Sequence, residues 1–392
     1  MAIKNIIIYS PRLPPESVGG METNGYFLIR YLMKLNKYNI RVITVSNNSF
    51  FFNREKIVKF SEVEVKLDLL KKKHTKMLTP LLRVFKNTGF NPAETLIYHN
   101  TLDLHAFFYD FKKAGFLQVA RSGGNDIFYK SKNKENDFLV GLNHLDRLIL
   151  NSEYSAKRSA SIGLKSCLLE VIKGGCEING KELSSQESLV DLPENTPIIL
   201  ACGRLVDFKG IEDALDALAI VHAKKINFSY VVVGDGVLKK QLQNKAKQLG
   251  LQANCYFLGK LNPEFLPQVY SRALIYLSSS KDIIRRSQGY SYVHTETMGR
   301  SICEAQAHGV PVVSTDAGGA PEMIVDGRTG MIVEQGNITA MAKAVEFLLT
   351  NESVRQQFSR EARLLAEDKF SWNVVFEKTI DLVEQIDLLR RP

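Results

Sequence analysis

Short runs of β-branched and apolar residues alternate with longer stretches of helical periodicity along the whole chain. In the first half, the strand candidates are NIIIYS, IRVITVS, VEVKL, TLIYHN, FLQVA, RLILNS and CLLEVI. After Glu187 the pattern starts again with PIILACG, SYVVVGDG, CYFLG, LIYLSS, VPVVST and GMIVE, and beyond Asn337 it is helical to the end. Alternation of this kind is typical of parallel sheets that carry helices on both faces. Two such series predict an α/β protein with two doubly wound domains.

The length of 392 residues agrees with two domains, and the composition is globular, with 45% hydrophobic and 24% charged residues. The polar segment INGKELSSQESLVDLPENTP is the predicted linker. No apolar run approaches the roughly 18 residues that a transmembrane helix needs, and the apolar start is too short for a secretory signal. Five cysteines without a C-x-x-C spacing favour reduced thiols in a cytoplasmic protein.

The net charge of +9 is unevenly distributed. Residues 1–180 hold 27 lysines and arginines against 16 carboxylates, whereas the remainder is slightly acidic. The excess is concentrated in KLDLLKKKHTKMLTPLLRVFK, where basic and apolar residues interleave. Such a stretch fits either an amphipathic segment on an anionic membrane surface or a solvated helix with its other face in the core. Nucleic-acid binding explains the charge poorly, because no recognised binding motif accompanies it.

The string HTETMGRSICEAQAHGVPVV carries two glutamates, Glu296 and Glu304, with seven residues between them. A helix that begins near Gly299 or Arg300 places its free backbone N–H groups between the two carboxylates. Free amides at a helix start bind anions. The segment therefore predicts a diphosphate cradle with an acid on either side to accept hydroxyl groups, a combination that suits a nucleotide sugar.

Glycines and cations follow the first strand of each half. Gly19 and Gly20 come just before a helix, where they either make a plain turn or let a phosphate approach the backbone. Arg204 and Lys209 lie five residues apart after the first strand of the second half. A guanidinium and an ammonium together match a diphosphate, although two ordinary surface cations give the same pattern.

Three further turns follow strands of the second half. The GDG string that begins at Gly234 and the FLGKL string around Gly259 are either strand-to-helix turns or backbone that lines a nucleotide and its base. The GGAP string with Glu322 favours a helix that begins near Pro321, and a ligand role for it is equally open. His308 is interpreted as a helix-end residue.

His99 and Asp126 end a strand and a loop of the first half, respectively. Both are candidates to face a cleft between the domains. The alternatives are a packed histidine at a strand end and a Gly-Gly-Asn-Asp turn that caps a helix. The sequence predicts no metal site, because it contains no DxD string and no His-x(3)-His pair.

Taken in order, these strings resemble the retaining glycosyltransferases of the GT-B fold, in the large bacterial family four of group 1 glycosyl transferases. The matching strings are Gly19-Gly20, GRLVDFKG, VVVGDG, FLGKL, Glu296-x(7)-Glu304, GVPVVSTDAGGAPEMI, DGRTG and the terminal FSW. The resemblance covers nearly the whole chain, most strongly residues 197–375. Each motif is modestly specific, and their order and spacing together are highly specific.

The resemblance implies two Rossmann-like domains that face each other across a cleft. An acceptor-binding domain spans residues 1–180, with the C-terminal helix at about 372–392 packed back on it, and a nucleotide-sugar domain spans residues 181–371. It also implies a role for each matching residue. Donor diphosphate binding is assigned to Gly20, Arg204, Lys209, Gly299, Arg300 and Ser301; donor sugar binding to Glu296, Thr297 and Met298; and nucleoside binding to Gly234, Lys260, Leu261 and Glu304. Glu296 is also a candidate catalytic residue, and Asp126 and His99 are the side-chain candidates for activating the acceptor.

The implied activity is transfer of a hexose-type sugar, with retention and without a metal, from a nucleotide diphosphate sugar to a glycan or lipid-linked acceptor. The biological setting is bacterial surface polysaccharide or lipopolysaccharide assembly, in the cytoplasm or on the inner face of the cytoplasmic membrane. A front-face, oxocarbenium-like substitution is the usual mechanism, in which the leaving phosphate helps to deprotonate the acceptor. Two alternatives are a nucleotide-sugar epimerase of the same fold and a non-catalytic nucleotide-sugar-binding relative.

Two departures from the family pattern stand out. The family often has a His-Gly-x-Asp string where this chain has Gly123-Gly124-Asn125-Asp126, so a catalytic histidine at that point is missing. The stretch before Glu296, SSSKDIIRRSQGYSYVHT, is also longer than the usual loop. Its residues Arg285, Arg286 and His294 either shape the donor pocket, contact an acceptor phosphate or belong to a solvated insertion.

Overall fold

The computed structural model describes most of the chain. The described residues are 2–13, 20–46, 55–60, 63–71, 85, 88–128, 137–178, 192–287 and 290–390. The chain divides into two compact units, the first formed by Met1–Gly174 with Trp372–Pro392 and the second by Gly175–Ser371. The first unit thus ends six residues before the position at which the sequence interpretation placed the boundary.

The strands run in chain order through both units. They are β1 Asn5–Tyr9, β2 Asn39–Ser46, β3 Glu55–Phe60, β4 Val63–Lys71, β5 Thr95–His99, β6 Leu117–Arg121, β7 Arg147–Leu150, β8 Leu169–Val171, β9 Ile198–Cys202, β10 Ser229–Val233, β11 Cys255–Gly259, β12 Ala273–Ser278, β13 Ile283–Ser287, β14 Tyr290–His294, β15 Val312–Thr315 and β16 Gly330–Val333. Every strand predicted from the sequence is present. Strands β3, β13 and β14 were not predicted.

The α-helices lie between these strands and at the end of the chain. They are α1 Gly20–Leu35, α2 Phe108–Lys113, α3 Asp137–Leu142, α4 Glu153–Ser161, α5 Ile211–Ala223, α6 Lys239–Gln248, α7 Leu266–Arg272, α8 Arg300–Ala307, α9 Ile338–Thr350, α10 Glu352–Lys369 and α11 Trp372–Arg390. Helices α9 to α11 confirm the prediction that the chain is helical after Asn337.

The first unit is built on a sheet with the described strands in the order β3-β4-β2-β1-β5-β6-β7-β8. Neighbours are parallel, except for the antiparallel pair β3–β4 at one edge. Strand β1 is wholly buried and its side chains alternate between two apolar layers. Ile6 and Ile8 pack on the side of α1 and α11, whereas Ile7 and Tyr9 pack on the opposite side.

Helix α11 belongs to the first unit although it follows the whole second unit in the chain. Trp372 stacks on Phe27 of α1 at a ring distance of 4.9 Å and on Phe376 at 5.2 Å. The backbone N–H of Ile3 donates to Asp387 Oδ2 at 3.2 Å. These contacts attach the end of the chain to its beginning.

The second unit is built on a parallel sheet with the described strands in the order β11-β10-β9-β12-β15-β16. Apolar side chains cover both of its faces. The order turns back between β9 and β12, the two central strands. Ligands of open α/β sheets bind beyond the carboxyl ends of the strands at such a switch point. We therefore expect a ligand site at the loops that follow β9 and β12.

Strands β13 and β14 form a separate antiparallel hairpin between β12 and α8. They occupy the long stretch that precedes Glu296. The GGAP string leads into a single 3-10 turn, Ala320–Met323, rather than the helix that was predicted there. Among the described residues, no helix is long and apolar enough to cross a membrane. Most of the basic stretch, including residues 72–84, lies outside the described residues.

Candidate functional site

A shallow pocket opens at the switch point of the second unit. It is lined by residues 201–205 at the end of β9, by Lys209 and Ile211, by Val232 of β10 and by residues 276–280 of β12 and the segment after it. The pocket thus contains both cations that the sequence analysis selected, Arg204 and Lys209.

Glycines at neighbouring strand ends bring the pocket walls together. Gly203 and Gly234 follow β9 and β10 with φ angles of +153° and +133°. A Cβ on Gly234 would lie 1.9 Å from the carbonyl oxygen of Gly203, so no side chain fits there. The Gly234 N–H donates to the Gly259 carbonyl at 2.8 Å. The three loops after β9, β10 and β11 therefore share one close-packed edge.

Lys209 Nζ lies 2.5 Å from Glu296 Oε2, and this ion pair is the centre of the site. The lysine side chain is 19% exposed and the glutamate side chain 15% exposed. Gly210 follows Lys209 with φ at +61°, and a Cβ there would lie 1.8 Å from the Ser279 carbonyl oxygen. This close approach fixes the loop after β9 against the segment after β12.

The Glu296 carboxylate also faces the start of α8. Its Oε1 accepts from the Gly299 N–H at 3.0 Å and lies 3.5 Å from the Met298 nitrogen. Burial alone would raise the pKa of Glu296, but the charge and hydrogen bond of Lys209 and the two amides outweigh burial and lower it. Glu296 is therefore a stable carboxylate that can accept hydrogen bonds.

Helix α8 begins at Arg300, with Gly299 as its N-cap at φ +88°. This confirms the helix start that was predicted at Gly299 or Arg300. The backbone N–H groups of Arg300 and Ser301 have no acceptor within the part of the chain that the structure describes. Two amides and the positive end of the helix dipole are thus available to an anion.

The Gly318-Gly319 turn supports Glu296 from behind. The Gly319 N–H donates to the Glu296 carbonyl at 2.8 Å. A Cβ on Gly318, whose φ is +55°, would lie 2.1 Å from the same oxygen. The structure therefore gives the GGAP string a packing role, which was one of the two alternatives from the sequence.

Glu304 lies within α8, and two side chains hold its carboxylate. The Tyr270 hydroxyl donates to Oε2 at 2.8 Å, and Arg300 Nε lies 3.1 Å from Oε1. The side chain keeps 24% exposure. His308 ends the helix, as predicted, and its Nδ1 lies 2.8 Å from the Glu304 carbonyl oxygen.

Two tyrosines of the site were missed by the sequence analysis. Besides Tyr270 at Glu304, Tyr276 of β12 places its hydroxyl 2.7 Å from Ser301 Oγ and 3.1 Å from the Cys202 carbonyl oxygen. Tyr276 thereby links the start of α8 to the end of β9. Its signal in the sequence is a tyrosine inside the mostly aliphatic strand ALIYLS.

The remaining predicted donor residues surround this centre. Arg204 is exposed, and its Cζ lies 6.0 Å from the centre of the Phe208 ring. Thr297 and Met298 are 7% and 4% exposed, so they contribute mainly backbone. Lys260 is exposed and Leu261 half-buried, directly after β11.

His99 is fully buried in the first unit. Its ring lies 4.6 Å from that of Phe108, and its Nε2 lies 3.2 Å from Gln118 Oε1. Burial lowers the pKa of His99 to about 3, and the hydrogen bond to Gln118 only partly opposes this. The structure places His99 in the core as a neutral side chain, away from any surface that a substrate can reach.

Asp126 and Gly20 belong to the first unit as well. Asp126 is half-buried and its Oδ1 accepts from the Ser122 hydroxyl at 2.5 Å. Gly20 is exposed at the first position of α1, whereas Gly19 lies outside the described residues. Within the described ranges, no group of three or more histidine, cysteine, aspartate or glutamate side chains is arranged to hold a metal ion.

Comparison with known families assigns most of the second unit. Residues 186–365 match the family model of glycosyl transferases group 1. Over this segment, the chain is similar to the group 1 glycosyl transferases. The group 1 segment contains Arg204, Lys209 and both glutamates.

Two curated relatives are similar to part of the chain. The capsular polysaccharide biosynthesis glycosyltransferase CapM of Staphylococcus aureus is 28% identical over 177 residues, which are 45% of this chain and 43% of CapM. The GDP-mannose-dependent alpha-(1-6)-phosphatidylinositol monomannoside mannosyltransferase of Mycolicibacterium smegmatis is 27% identical over 235 residues, which are 59% of this chain and 60% of that protein. The chain thus spans about half the length of these relatives.

Solved structures match nearly the whole chain. HepE of Anabaena in complex with UDP matches with a TM-score of 0.73 at 18% identity, over 97% of this chain and 100% of that chain. Sucrose-phosphate synthase from Thermosynechococcus elongatus matches with a TM-score of 0.75 at 17% identity, over 98% and 100%. At this identity the likeness concerns the fold. The prediction of a GT-B fold with two Rossmann-like domains is confirmed.

Proposed function

We propose that this protein is a retaining, metal-independent glycosyltransferase. It moves a hexose-type sugar from a nucleotide diphosphate sugar to a glycan or lipid-linked acceptor. The observation that carries the proposal is the Lys209–Glu296 pair at the start of α8, beside two amides that have no acceptor among the described residues. A cation, amides and a carboxylate side by side fit an anionic group joined to a hydroxyl-bearing ring.

The diphosphate binds between the loop after β9 and the start of α8. An ammonium has three donors, and Lys209 uses one of them on Glu296, so two remain for phosphate oxygens. Arg204 and the N–H groups of Arg300 and Ser301 complete the anion site, with Gly299 as the cap that exposes them. Stabilising the leaving diphosphate lowers the barrier to breaking the glycosidic bond.

Glu296 binds hydroxyls of the donor sugar, because a carboxylate with a lowered pKa accepts hydrogen bonds across the working pH range. Thr297 and Met298 contribute backbone beside it. Glu304 binds the ribose hydroxyls, and Gly234, Lys260 and Leu261 meet the rest of the nucleoside. Neither glutamate serves as the general base in this scheme. The donor phosphate deprotonates the acceptor, and Asp126 is the remaining side-chain candidate.

The biological setting that we propose is the assembly of a bacterial surface polysaccharide or lipopolysaccharide. CapM is named for capsular polysaccharide biosynthesis, and the mycobacterial relative for a phosphatidylinositol monomannoside. A lipid-linked acceptor would place the enzyme at the inner face of the cytoplasmic membrane. The net charge of residues 1–180 favours an anionic surface there.

The proposal is tested by incubating the protein with a panel of nucleotide sugars and lipid-linked acceptors and measuring nucleoside diphosphate release. Addition of EDTA checks that no metal is needed, and NMR of the product checks that the anomeric configuration is retained. Conversion of one nucleotide sugar into another without an acceptor would instead support the epimerase. Tight binding without any turnover would support the non-catalytic alternative.

A further inference from the structure

The hairpin β13–β14 is joined to the donor site by its position in the chain. It follows β12, whose carboxyl end lines the pocket, and its last residue, His294, precedes Glu296 by two positions. In its antiparallel register, Ile283 pairs with His294 and Arg285 pairs with Tyr292. Side chains alternate along each strand, so Arg285, Tyr292 and His294 share one face.

The inner face of the hairpin contacts the loop that carries Lys209. Arg285 forms an ion pair with Asp207 at 2.5 Å, and the ring of His294 lies 4.5 Å from that of Phe208. The outer face carries Ile284, whose exposure is 67%, and the exposed Arg286. The two arginines of the insertion, which the sequence could not separate, thus lie on opposite faces.

The segment before the hairpin reinforces this attachment. The Lys281 N–H donates to the Phe208 carbonyl at 2.8 Å, and Lys281 Nζ forms an ion pair with Asp213 at 3.0 Å. The Ser279 hydroxyl donates to the Lys209 carbonyl at 3.0 Å. The hairpin and the segment that precedes it therefore contact the chain from Asp207 to Asp213 at several positions.

The Phe208 ring connects His294 to both cations of the diphosphate site. Lys209 Nζ lies 5.7 Å and Arg204 Cζ 6.0 Å from the centre of this ring. Burial, together with the charges of Arg285 and Arg204, lowers the pKa of His294, although Asp207 and Glu296 oppose this. The imidazole is therefore neutral at neutral pH and can both donate and accept a hydrogen bond, which suits a hydroxyl group.

The charged residues of the hairpin's inner face and of the adjacent loop indicate the class of sugar. Asp207 is paired with Arg285, and Glu296 is paired with Lys209. Arg204, which has no carboxylate partner among the described residues, faces the diphosphate in the proposed function. Arg285, Lys209 and Arg204 are then all engaged, and none of them is available to pair with the carboxylate of an acidic sugar. The arrangement therefore favours an uncharged sugar.

We propose that the inner face of the hairpin determines donor-sugar specificity, with His294 hydrogen-bonding a hydroxyl of an uncharged hexose. Arg285 is a positioning residue that acts through Asp207 on the loop carrying Lys209. This inference rests on the proposed function. It adds that the enzyme selects its donor sugar with the inner face of the hairpin, in the long stretch before Glu296.

The first experiment compares His294→Phe, which keeps the ring contact with Phe208, and His294→Gln, which keeps hydrogen-bonding capacity. Titration calorimetry measures the affinity for UDP, GDP, UDP-glucose, UDP-galactose and GDP-mannose. We expect His294→Phe to lower the affinity for the preferred nucleotide sugar about tenfold, as expected for the loss of one hydrogen bond. The affinity for the free nucleoside diphosphate should stay within twofold of the wild-type value. His294→Gln should retain most of the sugar affinity and part of the preference between sugars.

The matched control is Arg286→Gln, one residue from Arg285 but on the outer face, and it should change no affinity. Arg285→Gln should raise the KM for the donor about two- to fivefold with a smaller change in kcat, since the ion pair is partly exposed. Arg285→Lys should restore the KM. Circular dichroism at 25 °C verifies that all variants are folded.

The outcomes separate the hairpin proposal from the proposed function. If the wild type binds none of the nucleotide sugars, the proposed function fails and the hairpin proposal fails with it. If the wild type discriminates between sugars and His294→Phe leaves affinity and preference as unchanged as Arg286→Gln does, only the hairpin proposal is overturned.

Discussion

The polar side chains that follow or end strands differ between the two units in charge and in exposure. In the second unit, Lys209 and Glu296 are charged, paired and still 15–19% exposed, so a ligand can reach them. In the first unit, His99 is neutral and 0% exposed within aromatic side chains. A polar residue that follows a buried strand is therefore a functional candidate only if the fold leaves it accessible to a ligand.

The comparison also separates the two halves of the proposed reaction. Donor chemistry is concentrated in a few side chains of the group 1 segment, where cation, amides and carboxylate converge. In the first unit, Asp126 accepts from Ser122 within its own turn. We expect substitutions in the second unit to affect the chemistry most and substitutions at His99 to affect it least.

The largest effect is expected for the central ion pair. Lys209→Met removes the ammonium that stabilises the leaving diphosphate, and Glu296→Gln removes the carboxylate that accepts sugar hydroxyls. Loss of one electrostatic stabiliser typically costs about 100- to 1,000-fold in kcat. Each variant should lose transfer on this scale in a nucleoside diphosphate release assay while keeping its circular dichroism spectrum. Near-wild-type turnover in either variant would remove that residue from the mechanism.

The second prediction concerns stability and its pH dependence. The folded-state pKa of Glu296 lies below its ordinary value of 4.5, so the wild-type pair stabilises the fold above that pH and the contribution is lost as the pH falls through the folded pKa. In Lys209→Met, burial acts on Glu296 without the compensating ammonium, which raises the glutamate pKa. The variant should be destabilised by about 3 kcal/mol at pH 7 and by less at pH 4.

Urea unfolding of Lys209→Met, Glu296→Gln and the double variant measures this coupling. The double variant should recover about 1–3 kcal/mol relative to the sum of the single changes, since it contains no unpaired buried carboxylate. Additive effects that are independent of pH would show that the two side chains do not interact in solution.

A smaller effect is expected at Glu304. Its carboxylate is already held by Tyr270 and Arg300, so Glu304→Gln should leave the fold intact and remove a charged acceptor for the ribose. Affinity for the nucleoside diphosphate should fall about tenfold. Equal affinities of the variant for the ribose and 2′-deoxyribose forms of the nucleotide would support the assignment. An unchanged affinity would contradict it.

The smallest effect is expected at His99. Because it lies neutral among aromatic rings, His99→Phe should change kcat and KM less than twofold and leave the pH profile unchanged. Asp126→Asn, assayed in parallel, tests the accessible candidate of the same unit. A fall in kcat for His99→Phe with unchanged stability would mean that the core histidine does reach the reaction.

The parallel strands and the start of α8 followed from local patterns, because strand periodicity and helix-start residues are encoded within a few neighbours. The Lys209–Glu296 pair joins residues 87 positions apart, and no local pattern contains it. The hairpin β13–β14 was missed because it packs against a loop rather than a core, and its described residues are exposed or half-buried. Burial of His99 was likewise beyond the sequence, since its environment is made by residues from other elements.

The most direct test of the donor site is the affinity of Glu296→Gln for a nucleotide sugar and for the corresponding nucleoside diphosphate, measured by titration calorimetry. The neutral amide offers the sugar hydroxyls one acceptor oxygen in place of two charged ones, while Lys209 loses its ionic partner and remains available to phosphate. We predict that affinity for the nucleotide sugar falls at least tenfold and that affinity for the nucleoside diphosphate is unchanged or higher. An equal loss for both ligands, or no loss for either, would contradict the account.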